Sequence, residues 1–544
     1  MSAQAGIFFA KLGREMMDNP FRGRSLTVID DLSLDERLYL FEKTKELKKD
    51  ITENNLDALE KFRINDSDFG IYEVFIEDST RTKESFKNAA AFHKVKLNHL
   101  EADHSSINKS ESFADTFNTL CGYDNLIFIV RSRQEGLCRW LEENGKFYAQ
   151  RNKMKQIPAF INAGDGKHEH PTQELLDEFT FLERANWSRE KIHIALVGDL
   201  FHGRTIHSKA DGLSIFKKVK VDLIAPPEIG MPEYYINKMK NNGFEIKIFD
   251  SIDKYMESND TAPMWYFTRP QLERMGDAIL KRQEELRYKI TFRKEFLEKI
   301  PEGTIFYHPL PRHKLHPTIP TFLDATPLNG WENQSANGKL IRIILLGLIA
   351  GKIGTDFKGI TKGSTETPDA IDFIKEAPVK SDQMRKDYAE GVKPISNGLV
   401  IDHICRGEKE EDIRDHLARM IRVLDLYGKG GEWISRSRTE PDKMKGIIFR
   451  PGYTEPGVKK LKQIAALAPG CTVNVVTDKK VVKKLKLTMP PKIYNFPNIC
   501  CKNSDCISHS SQGENVPAEF IRITDDKFKC KYCEKTHSFK EIWI

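Results

Sequence analysis

The feature that most constrains this chain is a strand-turn-helix segment at 75–86, with the sequence FIEDSTRTKESF. The apolar run at 71–76 predicts a β-strand, and apolar residues at helical spacing over 82–94 predict an amphipathic helix. The Ser/Thr-rich turn at 79–82 therefore places backbone N–H groups, hydroxyl groups and the Arg81 guanidinium at one helix N-terminus. Such a turn is typical of an anion site, most naturally for phosphate. An ordinary helix N-cap beside a solvated arginine would use the same residue types, so this segment alone leaves both interpretations open.

Several short motifs follow this turn, and their order along the chain carries more weight than any one of them. They are Arg131, His170-Pro-Thr-Gln173, Gly203-Arg204-Thr205, Thr268-Arg269-Pro-Gln271 and His308-Pro-Leu-Pro311. Together with the turn at 79–82, they resemble the aspartate carbamoyltransferases over roughly residues 15–353. The part at 393–544 is similar to the regulatory chain of that family. The whole sequence therefore resembles a natural fusion of a catalytic chain and a regulatory chain.

The length of 544 residues is too great for one hydrophobic core, so several domains are expected. Apolar runs alternate with helical segments in the N-terminal part, which predicts parallel α/β sheets with a ligand at the carboxyl ends of the strands. The resemblance implies two parallel-sheet α/β domains of the transcarbamoylase fold, a ferredoxin-like α+β domain and a small zinc-ribbon β domain. The expected boundaries are 1–175 for a carbamoyl-phosphate-binding domain completed by a helix at 336–353, 176–335 for an aspartate-binding domain, 354–392 for a linker, 393–490 for a nucleotide-binding-like regulatory domain and 491–544 for a zinc-binding domain.

Local signals predict several elements in more detail. A capping box at 33–36 predicts a helix that runs toward residue 49, and Pro171 is suited to the first position of a helix. The small and polar residues at 162–166 predict a turn. The apolar segment at 340–353 predicts a helix that packs back on the first domain. The linker is expected to hold at most one short helix, at 369–374.

The resemblance also assigns a site for carbamoyl phosphate. The residues that it implies are Ser79, Thr80, Arg81, Thr82, Arg131, His170, Gln173, Pro309, Leu310 and, from a loop that reaches a neighbouring subunit, Ser105 and Lys109. Arg131, His170 and Thr82 would polarise the carbonyl oxygen, Gln173 would contact the carbamoyl amide, and the backbone carbonyls of Pro309 and Leu310 would accept from its NH2 group. By residue type alone, an arginine directly after an apolar strand more often ends the strand in solvent, and a lone histidine at a helix start is usually a cap. His168 lacks the following Pro-Thr-Gln and is rejected as the active histidine.

For the second substrate, the resemblance implies that Arg204 and Arg269 bind the two carboxylates of aspartate, with help from Gln271 and Lys109. The reaction implied is carbamoyl phosphate plus L-aspartate giving N-carbamoyl-L-aspartate and phosphate, a step of de novo pyrimidine (UMP) synthesis that needs no covalent nucleophile. Ornithine carbamoyltransferases have a cysteine in the 308–311 turn and a Ser-Met-Gly loop in place of the segment that begins at Arg269, so both differences favour aspartate. Transfer to ornithine or another amino acid, and a non-catalytic regulatory scaffold on the same fold, are the alternatives.

The last 45 residues contain five of the nine cysteines, and four of them fit a metal site. Their spacing is Cys501-x4-Cys506-x23-Cys530-x2-Cys533. Two cysteine knuckles brought together by a hairpin supply the four thiolates that tetrahedral Zn²⁺ prefers. Alternatively, the four cysteines could be buried core residues that bind no metal, and Cys500 could replace Cys501 as the first ligand. A ribbon of this type would also suit nucleic acid or a protein partner, and its attachment to a complete transcarbamoylase favours an interface.

Regulation and location rest on weaker signals. Asp402, His403 and Lys484 match the nucleotide site of the resembling regulatory chain, but Arg450 and Gly446 stand where lysines are expected, so a weak or altered response to nucleoside triphosphates is predicted. The net charge of +6 gives little support for nucleic acid as a partner. No apolar stretch reaches the ~20 residues that span a bilayer, and no signal-peptide core is visible, so a cytoplasmic protein without a membrane partner is expected. By resemblance, it should be a homotrimer with active sites shared between subunits.

Overall fold

The computed structural model describes residues 19–101, 111–123, 125–154, 156–271, 281–363, 373–379, 395–407, 409–436 and 442–544. The chain divides into two compact units. The first comprises Met1–Thr365 and Asn503–Glu514, and the second comprises Glu366–Lys502 and Asn515–Ile544. Among the described residues, none of the helices combines the length and apolar character that crossing a membrane requires.

The first unit begins with a parallel four-stranded sheet in the order β2-β1-β3-β4. Its strands are β1 (Gly70–Phe75), β2 (Lys96–Glu101), β3 (Asn125–Ser132) and β4 (Ala159–Asp165). The helices of this part are α1 (Leu34–Thr52), α2 (Thr80–His93), α3 (Phe113–Cys121), α4 (Leu137–Asn152) and α5 (Pro171–Arg184). The central strands β1 and β3 are buried on both faces, which is why they read as apolar runs in the sequence.

A second parallel sheet follows in the same unit, with five strands in the order β7-β6-β5-β8-β9. Its strands are β5 (Lys191–Val197), β6 (Lys218–Ile224), β7 (Glu245–Phe249), β8 (Met264–Phe267) and β9 (Ile305–Tyr307). The helices are α6 (Arg204–His207), α7 (Lys209–Gly212), α8 (Glu233–Asn241), α9 (Ile252–Met256), α10 (Gln283–Ile290) and α11 (Trp331–Ile349). Helix α11 packs on α1, α2 and α5, so the prediction that this apolar helix returns to the first sheet is confirmed.

The second unit contains an antiparallel six-stranded sheet and a smaller antiparallel sheet of four strands. The larger sheet has the order β10-β15-β14-β11-β13-β12, and the smaller one has the order β16-β17-β18-β19. The strands are β10 (Ile374–Glu376), β11 (Gly398–Gly407), β12 (Gly431–Arg436), β13 (Met444–Pro451), β14 (Thr472–Thr477), β15 (Lys480–Leu487), β16 (Lys492–Tyr494), β17 (Glu519–Arg522), β18 (Lys527–Cys530) and β19 (Thr536–Ser538). Two helices, α12 (Glu410–Val423) and α13 (Val458–Leu467), belong to the same unit.

Several local predictions are confirmed at the level of individual bonds. The Ser33 hydroxyl accepts from the backbone N–H of Glu36 at 3.1 Å, and the Glu36 carboxylate accepts from the backbone N–H of Ser33 at 2.7 Å. This is the expected capping box, and the helix after it extends three residues beyond position 49. Helix α5 has Pro171 in its first turn, as predicted.

Two local predictions are wrong, and a third is displaced. The expected turn at 162–166 is largely the end of β4, because Asn162 donates its backbone N–H to Leu26 and its side-chain amide to Thr27, which extends the strand. The linker was expected to hold at most one short helix, at 369–374, but residues 374–376 form a strand that pairs antiparallel with β15 at the sheet edge. Residues 369–372 of that expected helix lie outside the described residues. Helix α2 begins at Thr80, two residues before the expected position.

Candidate active site

The carboxyl ends of the two parallel sheets face one cleft of about 770 Å³. Every described residue that the sequence analysis assigned to the two substrates lines it. These residues are Ser79, Thr80, Arg81, Thr82, Arg131, His170, Gln173, Arg204, Arg269, Gln271, Pro309 and Leu310. The predicted position of the ligand, at the ends of parallel strands, is therefore matched by the cleft. Ser105 and Lys109 lie outside the described residues.

The anion end of the cleft is the turn between β1 and α2. Ser79 has an extended backbone directly before the helix, and among the described residues no side-chain capping bond forms from it to the first turn. This geometry does not support an ordinary cap and leaves the first turn of the helix directed at the cleft. The Arg81 guanidinium donates to the carbonyl oxygen of Leu310, across the cleft. Its pKa lies below the ordinary value because partial burial and the positive charge of Arg269 both disfavour the charged form.

His170 lies deeper in the cleft, at the start of α5, and is only 5% exposed. The Thr82 hydroxyl oxygen is 3.4 Å from the Nε2 atom of His170. Burial holds the pKa of His170 well below its ordinary value, and the charges of Arg131, Arg204, Arg342 and Arg81 act in the same direction. His170 is therefore a neutral imidazole at neutral pH, with one ring N–H that can donate.

Arg131 does not end its strand in solvent. Its side chain is buried, and its Nη1 atom donates to the carbonyl oxygen of Ala163 at 2.9 Å. The neighbouring Gly164 has a φ of +115°, and a Cβ atom there would lie 2.8 Å from the Arg131 Nη1 atom and 3.2 Å from the Arg204 Cζ atom. A glycine is required at this position because both arginines approach its backbone closely.

Glu77 was not singled out from the sequence, yet it joins two of the predicted arginines. Its Oε2 atom lies 3.3 Å from the Nη2 atom of Arg131 and 3.0 Å from the Nη1 atom of Arg204. Arg204 also donates to the carbonyl oxygen of Gly166 at 3.1 Å. The available signal was its position: a carboxylate at the carboxyl end of β1, two residues before the Ser/Thr turn, faces whatever the turn binds.

At the second end of the cleft, β8 leads into Thr268 and Arg269. The backbone N–H of Gln271 donates to the Asp199 carboxylate at 2.9 Å, which fixes the path of this segment. Arg269, Gln271 and Arg204 follow strands of the second sheet and line the same cleft. This side therefore presents two guanidinium groups and an amide, a set suited to a small molecule with two carboxylates.

The turn at 308–311 closes the cleft from the side of β9. The backbone N–H of Leu310 donates to the Nδ1 atom of His308 at 2.7 Å, and the backbone N–H of His308 donates to the Gln334 side chain at 2.9 Å. Burial first, and then nearby arginines, lower the pKa of His308 to about 3, so its Nδ1 atom stays available as an acceptor. The turn is therefore held by its own hydrogen bonds.

Arg342 is a second residue that the sequence analysis missed. It lines the cleft from α11, is 4% exposed, and donates to the Ser85 hydroxyl at 2.9 Å. Burial lowers its pKa to about 10, so it remains charged at neutral pH. A lone arginine within a strongly apolar helix was the signal that could have identified it.

The four predicted zinc ligands come together. Cys501, Cys506, Cys530 and Cys533 are all buried, and their sulfur atoms lie within 4.8 Å of one another. The Sγ atoms of Cys501 and Cys533 are 3.7 Å apart, close to the separation of about 3.8 Å that tetrahedral Zn–S bonds of about 2.3 Å produce. The four thiols therefore fit a structural zinc ion, and Cys500 is not a member of the cluster.

The residues predicted for a nucleotide lie on β11 and β15, the two strands that flank β14 in the six-stranded sheet. Asp402 on β11 is opposite Thr472, and Lys484 on β15 is opposite Asn474, both on β14. Asp402 also accepts from the Lys445 ammonium at 2.8 Å.

Two neighbouring positions refine this arrangement. The Nζ atom of Lys445 lies 3.4 Å from the Nε2 atom of His403. Lys445 thus places an ammonium group beside Asp402 and His403. A lysine was expected at position 446, but that residue is Gly446. Arg450 is buried and donates to backbone carbonyls and to Glu432.

Three family models match separate parts of the chain. Residues 24–183 match the family described as "Aspartate/ornithine carbamoyltransferase, carbamoyl-P binding domain". Residues 390–488 match "Aspartate carbamoyltransferase regulatory chain, allosteric domain", and residues 491–543 match the metal binding domain of the same regulatory chain.

Among curated proteins, "Protein PyrBI" of Treponema denticola is 61% identical over 530 residues, which cover 97% of this chain and 99% of that protein. "Protein PyrBI" of Thermotoga maritima is 50% identical, with 97% and 100% coverage.

Among solved structures, aspartate transcarbamoylase from Trypanosoma cruzi in complex with carbamoyl aspartate and phosphate has a TM-score of 0.52 and 29% identity. The match covers 61% of this chain and 97% of that one. The catalytic subunit of M. jannaschii aspartate transcarbamoylase has a TM-score of 0.51 and 28% identity, and the match covers 60% of this chain and 98% of that one.

Proposed function

Given that this chain belongs to the aspartate carbamoyltransferases in which catalytic and regulatory parts share one polypeptide, we propose that the cleft between its two parallel sheets is the active site. The protein is an aspartate carbamoyltransferase. Its substrates are carbamoyl phosphate and L-aspartate, and its products are N-carbamoyl-L-aspartate and phosphate. The roles of individual residues described below are our assignments, and they rest on the geometry of the cleft.

In the reaction, the amine nitrogen of aspartate attacks the carbamoyl carbon, and the carbon–oxygen bond to phosphate breaks with its electron pair on phosphate. The amine gives up a proton, which the departing phosphate can accept. Negative charge develops on the carbonyl oxygen before the bond breaks. We assign its stabilisation to the Arg131 guanidinium, the neutral His170 and the Thr82 hydroxyl, which lie together in the cleft. Each such donor is worth on the order of 100 to 1000-fold in rate.

We assign the phosphate to the turn between β1 and α2. Ser79, Thr80, Arg81 and Thr82 offer hydroxyl groups, a guanidinium and the positive end of a 14-residue helix to the departing charge. Gln173 and the carbonyl oxygens of Pro309 and Leu310 would hold the carbamoyl NH2 group. The Leu310 carbonyl already accepts from Arg81, so carbamoyl phosphate would exchange that contact for its own.

Aspartate is assigned to the opposite end of the cleft, where Arg204 and Arg269 each meet one carboxylate and Gln271 assists. Orientation of the amine by two charged contacts supplies a large part of the rate enhancement. Glu77 orients the Arg131 and Arg204 guanidinium groups and balances their charge.

Further proposals concern assembly and regulation. Ser105 and Lys109 would complete the active site of an adjacent subunit in a homotrimer. Each chain would divide into domains at the boundaries expected from the sequence. A nucleoside triphosphate effector would bind beside Asp402, His403 and Lys484, where Lys445 adds a charge. We place the enzyme in the cytoplasm, in de novo pyrimidine synthesis.

The observation that carries the assignment is the convergence of Arg131, His170, Arg204, Arg269 and the 79–82 turn on one cleft. A colorimetric assay for carbamoyl aspartate tests it. The full-length protein should form carbamoyl aspartate from carbamoyl phosphate and aspartate, and His170→Ala should reduce kcat by at least about 100-fold. A His170→Ala protein with unchanged kcat would overturn the placement of the site.

A further inference from the structure

A buried charge network lies behind the cleft, and none of the roles assigned so far uses it. Its centre is Asp177 on α5, which is 0% exposed. The Oδ2 atom of Asp177 accepts from the Lys209 ammonium at 2.7 Å and from the Tyr266 hydroxyl at 2.8 Å. Lys209 on α7 is itself fully buried and also contacts Glu174. Burying charged groups this deeply is costly, so an apolar set would be the simpler way to fill the same space.

The second oxygen of Asp177 holds two side chains that lead to the substrate site. Its Oδ1 atom accepts from the Gln173 amide at 3.0 Å and from the Gln334 amide at 2.7 Å. The oxygen of the Gln334 amide then accepts from the backbone N–H of His308 at 2.9 Å. His308 in turn accepts from the backbone N–H of Leu310 at 2.7 Å. An unbroken series of hydrogen bonds therefore runs from Asp177 to the turn at 308–310.

The chemistry of the network fixes the orientation of both amides. An ionised carboxylate only accepts, so Gln173 and Gln334 must each turn an NH2 group toward Asp177. Gln334 then presents its amide oxygen to the His308 N–H. Gln173 lines the cleft, and its amide oxygen lies on the side away from Asp177. In an Asp177→Asn variant, the new NH2 group would face either the two glutamine amides or the Lys209 ammonium and the Tyr266 hydroxyl. A donor would then face donors, so one of these two sets of hydrogen bonds would be lost.

Lys209 is the positively charged partner of Asp177, at 2.7 Å. Burial alone would lower the pKa of Lys209, but Asp177 and Glu174 outweigh it and raise that pKa above the ordinary value. Burial raises the pKa of Glu174, and the Lys209 ammonium acts in the opposite direction. Lys209 therefore pairs with two buried carboxyl groups, and Asp177 is the one that also holds the two amides.

We propose that Asp177, with Lys209 as its counter-ion, is a positioning residue that aligns Gln173 and the 308–310 turn for the carbamoyl group of carbamoyl phosphate. This inference rests on the proposed roles of Gln173, Pro309 and Leu310. The carboxylate has no contact with substrate in this arrangement. It acts by holding two elements, α5 and the turn after β9, at a fixed distance and with fixed amide orientations.

The test compares Asp177→Asn with Asp222→Asn in the full-length enzyme. Asp222 is a matched control because it is equally buried and accepts from Tyr255 at 2.7 Å. Its partners Tyr255 and His193 do not line the cleft, whereas Gln173 and Gln334, which Asp177 holds, do. Both variants should lower the Tm. Only Asp177→Asn should reduce kcat/KM for carbamoyl phosphate, by about tenfold or more, because small misplacements of binding groups have large kinetic effects. Its KM for aspartate should stay within about twofold of the wild type.

A double variant separates positioning from stability. Lys209→Met alone leaves a buried carboxylate without its counter-ion and should lower both Tm and kcat/KM. Adding Asp177→Asn removes that unbalanced charge, so Tm should recover while kcat/KM for carbamoyl phosphate stays low. Recovery of both quantities together, or an equal kinetic defect in Asp222→Asn, would show a purely structural network and overturn the inference.

Gln173→Ala distinguishes this failure from a failure of the proposed function. If Gln173→Ala leaves kcat/KM for carbamoyl phosphate unchanged, the assigned role of Gln173 is wrong and the inference falls with it. If Gln173→Ala lowers that ratio while Asp177→Asn does not, the inference alone is wrong.

Discussion

The Nη1 atom of Arg204 lies 3.0 Å from the Oε2 atom of Glu77, so an arginine assigned to aspartate is held by a carboxylate from the phosphate side of the cleft. The two residues are 127 positions apart and follow strands of different sheets. The same oxygen meets Arg131. One side chain thus sets the direction of two guanidinium groups, each of which serves a different substrate in our assignment.

Replacing Glu77 with Gln should therefore weaken the binding of aspartate. The amide keeps the shape but removes the charge that orients Arg204, so we expect KM for aspartate to rise about tenfold, since a hydrogen bond to a charged group contributes about 1.5–3 kcal/mol. Steady-state kinetics at saturating carbamoyl phosphate measure this. Asp78→Asn, which changes an exposed neighbour, should have a much smaller effect. Unchanged kinetics in Glu77→Gln would mean that Arg204 is oriented by its other contacts alone.

Arg269→Ala should separate the two substrates. The variant leaves one aspartate carboxylate unpaired in a partly desolvated pocket, so we expect KM for aspartate to rise roughly 100-fold, in line with the loss of about 2–3 kcal/mol from a charged contact. Carbamoyl phosphate kinetics should change little. Arg282→Ala is a suitable control because Arg282 is exposed and pairs with Glu228 and Glu285 instead. Equal loss of both substrates, or turnover of ornithine by the intact enzyme, would contradict the assignment to aspartate.

The sequence alone was sufficient to predict elements that depend on residues close together in the chain. The capping box at Ser33 and the proline at the start of α5 depend on neighbouring residues, so their patterns predicted the helix starts well. The family motifs named the residues that reach the cleft. Residues 162–165 were misjudged because their strand is completed by Leu26 and Thr27, which are distant in sequence.

The parts of the site that were missed depend on the same kind of distant contact. Glu77 has a role only because Arg131 and Arg204 fold against it. Lys445 could not be chosen over Gly446 from the motif alone, because the strand register of β13 against β11 decides which side chain faces Asp402. The strand at 374–376 exists because the edge of β15 accepts it.

Acid should destabilise the protein through His93, which is fully buried. Its Nε2 atom donates to the Ile343 carbonyl at 2.8 Å, and its Nδ1 atom accepts from the Ile64 N–H at 3.3 Å, so the neutral ring is satisfied. Burial lowers its pKa to about 4, whereas the unfolded chain should have a pKa of about 6.5. Below pH 6.5 the unfolded state therefore binds the extra proton first. The free energy of unfolding should fall by about 1.4 kcal/mol per pH unit from this group between pH 6.5 and 4.

Urea unfolding at pH 7.5 and pH 5.5 tests the contribution of His93. His93→Gln should lose about 1 kcal/mol less stability than the wild type between these two pH values, since its own proton uptake is gone. His316→Gln, at an exposed site, should follow the wild type. An unchanged pH dependence in His93→Gln would show that the pKa of this ring is the same in the folded and unfolded states.

The zinc cluster should support assembly rather than chemistry. Cys530→Ala or treatment with a mercurial removes one of the four buried thiolates, so metal should be released and assemblies larger than a trimer should loosen. Trimers should keep their activity because the cleft contains none of these cysteines. Metal content and sedimentation measure the two effects. Cys500→Ala is the matched control and should retain the metal; a simultaneous loss of activity in Cys530→Ala trimers would contradict this division of roles.

The sharpest prediction concerns Lys109, which in our assignment completes the active site of an adjacent subunit. A Lys109→Ala chain and a His170→Ala chain would each be inactive alone, and their defects would lie on opposite sides of a cyclic, head-to-tail interface. In trimers mixed at equal amounts, a working site needs an intact His170 from one chain and an intact Lys109 from its neighbour. Random reassortment gives each condition a probability of about one half, so roughly a quarter of full activity should return.

The experiment dissociates the two inactive proteins, remixes them, and measures carbamoyl aspartate formation after mixed trimers are confirmed by mass. Each variant taken alone through the same dissociation and reassembly is the control, and neither should recover activity. Recovery near a quarter would place Lys109 and His170 of one working site on different chains, because no single chain in the mixture carries both. If confirmed mixed trimers stayed inactive, Lys109 would act within its own subunit or have no part in the reaction.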